Sequence, residues 1–155
     1  MKNKLIRLIQ NNLTDDLLKP KYRKRKGKYA GHCYVATECF YYMYGRWYGW
    51  KPYCYRYKNG ETHWWLQKDS EIIDITAEQL KPGFDYSKGH KQFFVNYPSK
   101  RCETLAKRVD AEIRKDTFVG AAEVVHKELN TLRKVIFDQA QEDYNRMKKI
   151  LRRKK

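Results

Sequence analysis

The sequence predicts an α+β fold in which helices pack against a small antiparallel sheet. After Gly31, apolar residues recur at helical spacing from Val35 to Met43, and Gly45 is a typical helix stop. Three short segments of alternating hydrophobicity follow, at 53–57, 61–67 and 71–76. From Ser99 onward the pattern is helical again. These observations indicate a β-meander between helical segments.

The secondary structure on either side of the meander is predicted from similar sequence patterns. An amphipathic helix is predicted over 2–13, and Thr14 starts a second helix that is cut short before Pro20. A loop with Pro and Gly is expected over 81–91. A further strand is expected over 92–97.

The C-terminal part of the chain is predicted to form two helices. One covers 100–115 and the other 120–152, the second with an apolar face along its length. A helix of about thirty residues overhangs a small domain, so it packs on its own core or on a partner, including a second copy of the chain. We therefore expect a core over 1–98 and a helical extension over 99–155.

The turn at Asp69-Ser70 predicts the register of the second hairpin. A two-residue turn pairs Lys68 with Glu71 and places His63 and Asp74 on the same face of the sheet. The opposite face then carries a consistently apolar set, Trp64, Leu66, Ile73 and Ile75. Burial of that set requires this register.

The first hairpin is predicted in the same way from Asn59-Gly60, a strong two-residue turn signal. This register puts Cys54 and Arg56 on the face of His63. It puts three tyrosines on the apolar face, Tyr53, Tyr55 and Tyr57.

Positive charge is concentrated in two segments. The chain carries 34 Lys and Arg against 18 Asp and Glu, a net charge of +16. Residues 19–30 hold seven of the basic side chains and 148–155 hold six, with no acid in either segment. Such runs are typical of contacts with a polyanion, which is the interpretation favoured for 19–30 over a solvated basic loop. The run 148–155 is better explained as a basic helix end, where cations suit the helix dipole. In the first run the candidate nucleic-acid contacts are interleaved with Tyr22 and Tyr29, which suit base stacking. They are Lys21, Arg23, Lys24, Arg25, Lys26 and Lys28.

Several classes of protein have no support in the sequence. The four cysteines are irregularly spaced and fit no zinc motif, so no metal site is predicted. Motifs for nucleotide hydrolysis, dinucleotide binding and zinc proteolysis are absent, and no cofactor is expected. Apolar runs are too short to span a bilayer, and the first residues do not form an export signal. We therefore expect no membrane partner, reduced thiols and a cytoplasmic location.

Three residues predict a catalytic site of nucleophilic type. Cys33 lies at the start of the predicted buried helix, where the helix dipole and the basic segment favour the thiolate. A cysteine nucleophile needs an imidazole to hold its proton, which His63 can supply. The imidazole in turn needs a group that fixes its tautomer, and Asp74 is predicted on the same face.

The order of these residues resembles the transglutaminase-like branch of the papain-like cysteine enzymes. The resemblance lies in GHCYVATECF at the helix, ETHWWLQ on one strand and IIDIT on the next, and it covers roughly residues 31–97. It implies a papain/transglutaminase-like core with the helix of the nucleophile packed on an antiparallel sheet. By this resemblance Cys33 is the nucleophile, His63 the general base and acid, and Asp74 the residue that orients His63. No upstream glutamine of the papain type is found for an oxyanion hole.

The resemblance implies a cysteine-dependent hydrolase or acyl transferase acting on a protein or peptide, as a peptidase, amidase or transamidase. Attack by Cys33 gives an acyl-enzyme that water or an amine resolves, and the sequence leaves both acceptors open. The alternative is a nucleic-acid-binding protein on a catalytically silent fold, with the basic segment as its binding surface. A third hypothesis is an interaction protein that assembles through its C-terminal helix.

Overall fold

The computed structural model describes residues 1–95 and 97–116. Within these residues the protein is α+β, with three α-helices and a four-stranded antiparallel sheet in the order β3-β2-β1-β4. The helices are α1 (Lys2–Asn11), α2 (Cys33–Met43) and α3 (Lys100–Asp116). The strands are β1 (Lys51–Arg56), β2 (Thr62–Lys68), β3 (Glu71–Ile73) and β4 (His90–Lys91). None of the described helices combines the length and apolar character needed to cross a membrane.

The chain divides into two compact units, Met1–Glu112 and Ile113–Lys155. The first unit contains α1, α2, the whole sheet and most of α3. The second unit lies almost entirely outside the described residues. The predicted helix over 120–152, its proposed self-association and the basic run 148–155 all fall there.

Helix α2 forms the centre of the core. Val35, Ala36, Cys39 and Phe40 are fully buried, in agreement with the predicted helical spacing. Thr37 donates a hydrogen bond to the main-chain oxygen of Trp64, which ties α2 to β2.

A buried carboxylate joins α2 to the start of α3. Glu38 accepts hydrogen bonds from the main-chain nitrogen of Ser99 at 3.0 Å and from its hydroxyl at 2.6 Å. The Ser99 hydroxyl also accepts a bond from the Cys102 nitrogen, as in an N-terminal helix cap. Because a buried charge must be paired or hydrogen-bonded, this contact fixes where α3 begins against α2.

The second hairpin confirms the predicted register. Lys68 pairs with Glu71 and Leu66 with Ile73 across the turn at Asp69, whose φ of +51° is tolerated by aspartate. His63 and Asp74 therefore lie on one face of the sheet, as the alternation of apolar residues required.

The first hairpin corrects the prediction. Tyr57 and Glu61 are hydrogen-bonded to each other beyond the ends of the two strands, so the loop between them contains three residues, 58–60, rather than two. Gly60 adopts a φ of +81°, the conformation that ends a three-residue hairpin loop. The register shifts by one residue, and Tyr55 pairs with His63 while Cys54 pairs with Trp64.

The predicted strand over 92–97 is also largely wrong. Of the residues described in this part of the chain, His90–Lys91 pair with β1, and the last ladder bond is donated by the Gln92 nitrogen to the Pro52 oxygen. Proline has no N–H, so Pro52 cannot donate the second hydrogen bond of this pair. In addition, β1 begins at Lys51, only one residue before Pro52. The strand therefore ends, and Phe93 and Val95 beyond it are exposed.

Candidate active site

Cys33 occupies the first position of α2, as predicted, and is 7% exposed. Its Sγ lies 3.4 Å from the main-chain oxygen of Thr62, the residue before His63. Cys33 is also close enough to His63 to contribute to the raised pKa of the imidazole. The first N–H groups of a helix have no partner within the helix, so α2 presents its positive end at this thiol.

His63 is held between Asp74 and Cys33. Its Nε2 lies 2.6 Å from Asp74 Oδ2, and both side chains are only 3% exposed. Because Nε2 faces the carboxylate, Nδ1 is the ring nitrogen left for proton exchange. Two aromatic rings fix the imidazole plane, with Trp65 stacked on it and Phe84 against it edge to face.

The Asp74 carboxylate is saturated with donors. Oδ1 accepts from the nitrogen and the hydroxyl of Thr76, which accounts for the Asp-Ile-Thr sequence as a local turn. Oδ2 accepts from the phenol of Tyr86 at 2.8 Å as well as from His63. Burial beside Asp74 raises the pKa of Tyr86, so its hydroxyl remains a donor. The carboxylate is therefore fixed in one orientation.

These contacts determine the charge of the imidazole. Burial lowers the pKa of His63, but the hydrogen bonds and charges of Asp74 and Cys33 outweigh it and raise the pKa to about 9. A pKa in this range favours the protonated imidazole at neutral pH.

Gln79 is a site residue that the sequence analysis missed. Its Nε2 lies 3.3 Å from His63 Nδ1 and 2.7 Å from the Thr76 hydroxyl, while its Oε1 accepts from the Gly31 nitrogen at 3.3 Å. It thus links the imidazole to the segment that precedes α2. Gln79 ends a single 3₁₀ turn, Ala77–Gln79, and such a turn has no periodic pattern by which to find it.

The segment between β3 and β4 covers the face of the sheet that carries His63. Trp65 is fully buried between Phe84 and Tyr86 on one side and the imidazole on the other. A Cβ at Gly89 would stand 2.0 Å from the Trp65 ring, so this position of the loop requires glycine. The loop excludes water from His63 and Asp74, which strengthens their interaction.

The thiol opens onto a small cavity of about 70 Å³. The cavity lies beneath the basic segment, and three of its lining side chains are cations: Lys19, Arg25 and Arg101. The other lining residues are Tyr22, Gly31, Cys33, Tyr34, Glu61, Thr62 and Gln79. Cys33 is therefore largely buried, and it lines a cavity whose described walls carry more positive than negative charge.

The basic segment is attached to the body at two points beside the site. Arg25 forms an ion pair with Glu61, and Lys28 pairs with Glu78 at 2.7 Å. Tyr22 packs against Gly31, where a Cβ would stand 2.7 Å from the tyrosine, and Gly31 has a φ of +82°. The remaining predicted nucleic-acid contacts are exposed and form no ion pair with any residue of 1–95 or 97–116. They are Lys21, Arg23, Lys24 and Lys26.

The other cysteines have different surroundings. Burial and the nearby Cys33 raise the pKa of Cys54 to about 11. A hydrogen bond to Cys102 and burial raise the pKa of Cys39. Neither thiol has a histidine partner among the residues that the structure describes, and all four cysteines are free.

No protein-family model, curated protein or solved structure matches this chain.

Proposed function

We propose that this protein is a cysteine-dependent hydrolase or acyl transferase of the transglutaminase-like, papain-like type. The observation that carries the proposal is the position of His63, which is 2.6 Å from the Asp74 carboxylate and close enough to Cys33 for that residue to raise the pKa of the imidazole. Cys33 itself lines a cavity. A nucleophile, a base and a group that orients the base are the minimum set for this chemistry.

In the proposed reaction the Cys33 thiolate attacks the carbonyl carbon of an amide, isopeptide or thioester. As the bond to the leaving group breaks, the proton on His63 Nδ1 passes to the leaving nitrogen or sulfur. Water or an amine then attacks the acyl-enzyme and gives its proton to His63, and the Cys33 thiolate is released. Asp74 holds the Nε2–H throughout and leaves Nδ1 as the ring nitrogen that exchanges protons.

The oxyanion of the tetrahedral intermediate needs hydrogen-bond donors near the thiol. The main-chain N–H of Cys33 is one, since the first N–H groups of a helix lack partners within the helix. The Gln79 amide lines the same cavity and is a second candidate if its nitrogen turns away from Thr76 and His63 during the reaction. It would take the place of the upstream glutamine that the papain type uses.

The proposal predicts that Cys33 is acylated by an activated ester. Mixing the protein with p-nitrophenyl acetate should add one acetyl group at Cys33, detected by intact mass and located by peptide mapping. We expect no adduct at this position in Cys33→Ala and a loss of about 10²-fold or more in acylation rate in His63→Ala. Faster release of the acyl group on adding glycinamide would indicate an acyl transferase, and no effect a hydrolase. Acylation that is equally fast in wild type and His63→Ala would contradict the proposal.

A second proposal is that the basic segment recruits the protein to a nucleic acid. It is favoured by the four exposed cations without ion pairs, Lys21, Arg23, Lys24 and Lys26. Binding of a labelled single-stranded RNA should then weaken with salt, with a log–log slope of about −0.7 for each phosphate contact. Replacing the four by Gln should make the slope shallower by about 2 to 3, whereas the same change at four exposed lysines elsewhere should not. The control positions are Lys51, Lys58, Lys68 and Lys100. A salt-independent affinity would exclude recruitment by phosphate contacts.

A further inference from the structure

The cavity at the Cys33 thiol has an unusual balance of charge. Among the described residues that line it, three side chains are cations and Glu61 alone is an anion. Glu61 is already paired with Arg25. Lys19 and Arg101 therefore supply positive charge that no carboxylate of the described residues balances through an ion pair.

Arg101 is positioned toward the cavity by two contacts. Its Nη1 donates a hydrogen bond to the main-chain oxygen of Leu17 at 3.0 Å, and its guanidinium lies 5.9 Å from the centre of the Tyr34 ring. A guanidinium has five N–H donors in a planar fork, so one bond to Leu17 leaves several free. A planar fork of this kind matches the two oxygens of a carboxylate.

The size of the cavity limits what can enter it. Its volume of about 70 Å³ is far below the roughly 300–1,000 Å³ of pockets for drug-sized ligands. A cavity of this size suits a small group next to Cys33 better than a bulky one. Tyr22 and Tyr34 line its walls and can contact the methylene groups of a short acidic side chain.

We propose that the site selects acyl groups that carry a carboxylate close to the scissile carbonyl, such as the acyl part of a succinyl-type or aspartyl-type amide or thioester. This inference rests on the proposed function, because it assigns the substrate class of the same nucleophile. Arg101 and Lys19 would hold the carboxylate while Cys33 attacks the neighbouring carbonyl carbon. The bond that breaks and the proton transfers are those of the proposed reaction.

The test compares two alkylating probes of nearly equal size that differ in charge, iodoacetate and iodoacetamide. The quantity measured is the ratio of their rates at Cys33, located by peptide mass spectrometry, in Lys19→Gln, Arg101→Gln and wild type. We expect either substitution to lower the ratio of iodoacetate to iodoacetamide about threefold to fivefold. The ratio is used because a change in the reactivity of the thiol itself affects both probes alike. Because Lys19 is exposed, Lys19→Gln should leave the fold intact. The ratio can therefore still be measured in that variant if Arg101→Gln weakens the fold.

Lys51→Gln is the matched control for overall charge. Lys51 is exposed and lies five strand residues from the position paired with Thr62, about 17 Å from the cavity wall. Its replacement lowers the net charge by the same amount and should leave the ratio unchanged, since charges beyond about 10 Å are screened at 0.1 M salt.

The outcomes separate this inference from the proposed function. A ratio that falls in Lys19→Gln and Arg101→Gln but not in Lys51→Gln supports a carboxylate subsite. Alkylation of Cys33 with the same ratio in all four proteins, or an equal fall in Lys51→Gln, overturns the subsite and leaves the nucleophile standing. If neither probe modifies Cys33 in the folded protein, the proposed function fails together with the inference.

Discussion

Replacing Asp74 with asparagine is expected to lower the pKa of His63 from about 9 to 6.5 or below. In the wild type the carboxylate offsets a large desolvation penalty on the imidazolium, because the ring is buried between Trp65 and Phe84. Asparagine keeps the shape of the side chain but removes its charge. Burial then becomes the dominant effect, and it disfavours the protonated ring.

The same change alters how stability depends on pH. A histidine whose pKa is raised by folding stabilises the native state below its unfolded pKa, and this contribution is lost as the pH rises through the folded pKa. For His63 the window runs from about pH 6.5 to about pH 9, and the contribution is on the order of 3 kcal/mol. Asp74→Asn should therefore have a lower free energy of unfolding than wild type at pH 6, and the difference should shrink by pH 9.5.

The pKa can be measured by NMR from the Cε1–H shift of His63, assigned against the spectrum of His63→Gln. Tyr86→Phe is the matched control, because it removes another hydrogen bond to Asp74 Oδ2 but leaves the carboxylate charge in place. The pKa of His63 should remain near 9 in that variant. A pKa that also stays near 9 in Asp74→Asn would contradict the role given to the carboxylate.

The relation between His63 and Asp74 was predictable because two independent signals agreed. The two-residue turn at Asp69 fixed one register, and the alternation of Leu66 and Ile73 on the apolar face required the same one. The position of Cys33 was predictable from the helical spacing of Val35 and the residues after it.

The register of the first hairpin was predicted wrongly because the prediction rested on one sequence signal. Asn59-Gly60 is typical of a two-residue turn, but the same glycine also suits the last position of a three-residue loop. The flanking tyrosines did not decide between these registers, since Tyr53 and Tyr55 are amphipathic and tolerate either face of the sheet. The structure packs Tyr55 against Phe84 on the His63 side.

Several site residues could not be predicted at all. Gln79, Phe84 and Tyr86 lie in a segment with little regular structure, where neither helical nor strand periodicity operates. Their contacts with His63, Trp65 and Asp74 depend on how the loop folds back over the sheet. Arg101 lies on α3, which was predicted, but its position at the cavity depends on how α3 packs against the 3₁₀ turn that ends at Leu17.

The most direct test of the account is the rate of alkylation of Cys33 by iodoacetamide as a function of pH, in wild type and in His63→Ala. Each cysteine is followed separately by peptide mass spectrometry. At pH 6 we expect wild-type Cys33 to react roughly tenfold or more faster than Cys33 of His63→Ala, because the imidazolium favours the thiolate. His90→Ala, which removes an exposed histidine on β4, should behave as wild type. Equal rates for Cys33 in wild type and His63→Ala, or a Cys33 that reacts no faster than Cys54, would contradict the assignment of Cys33 as a nucleophile activated by His63.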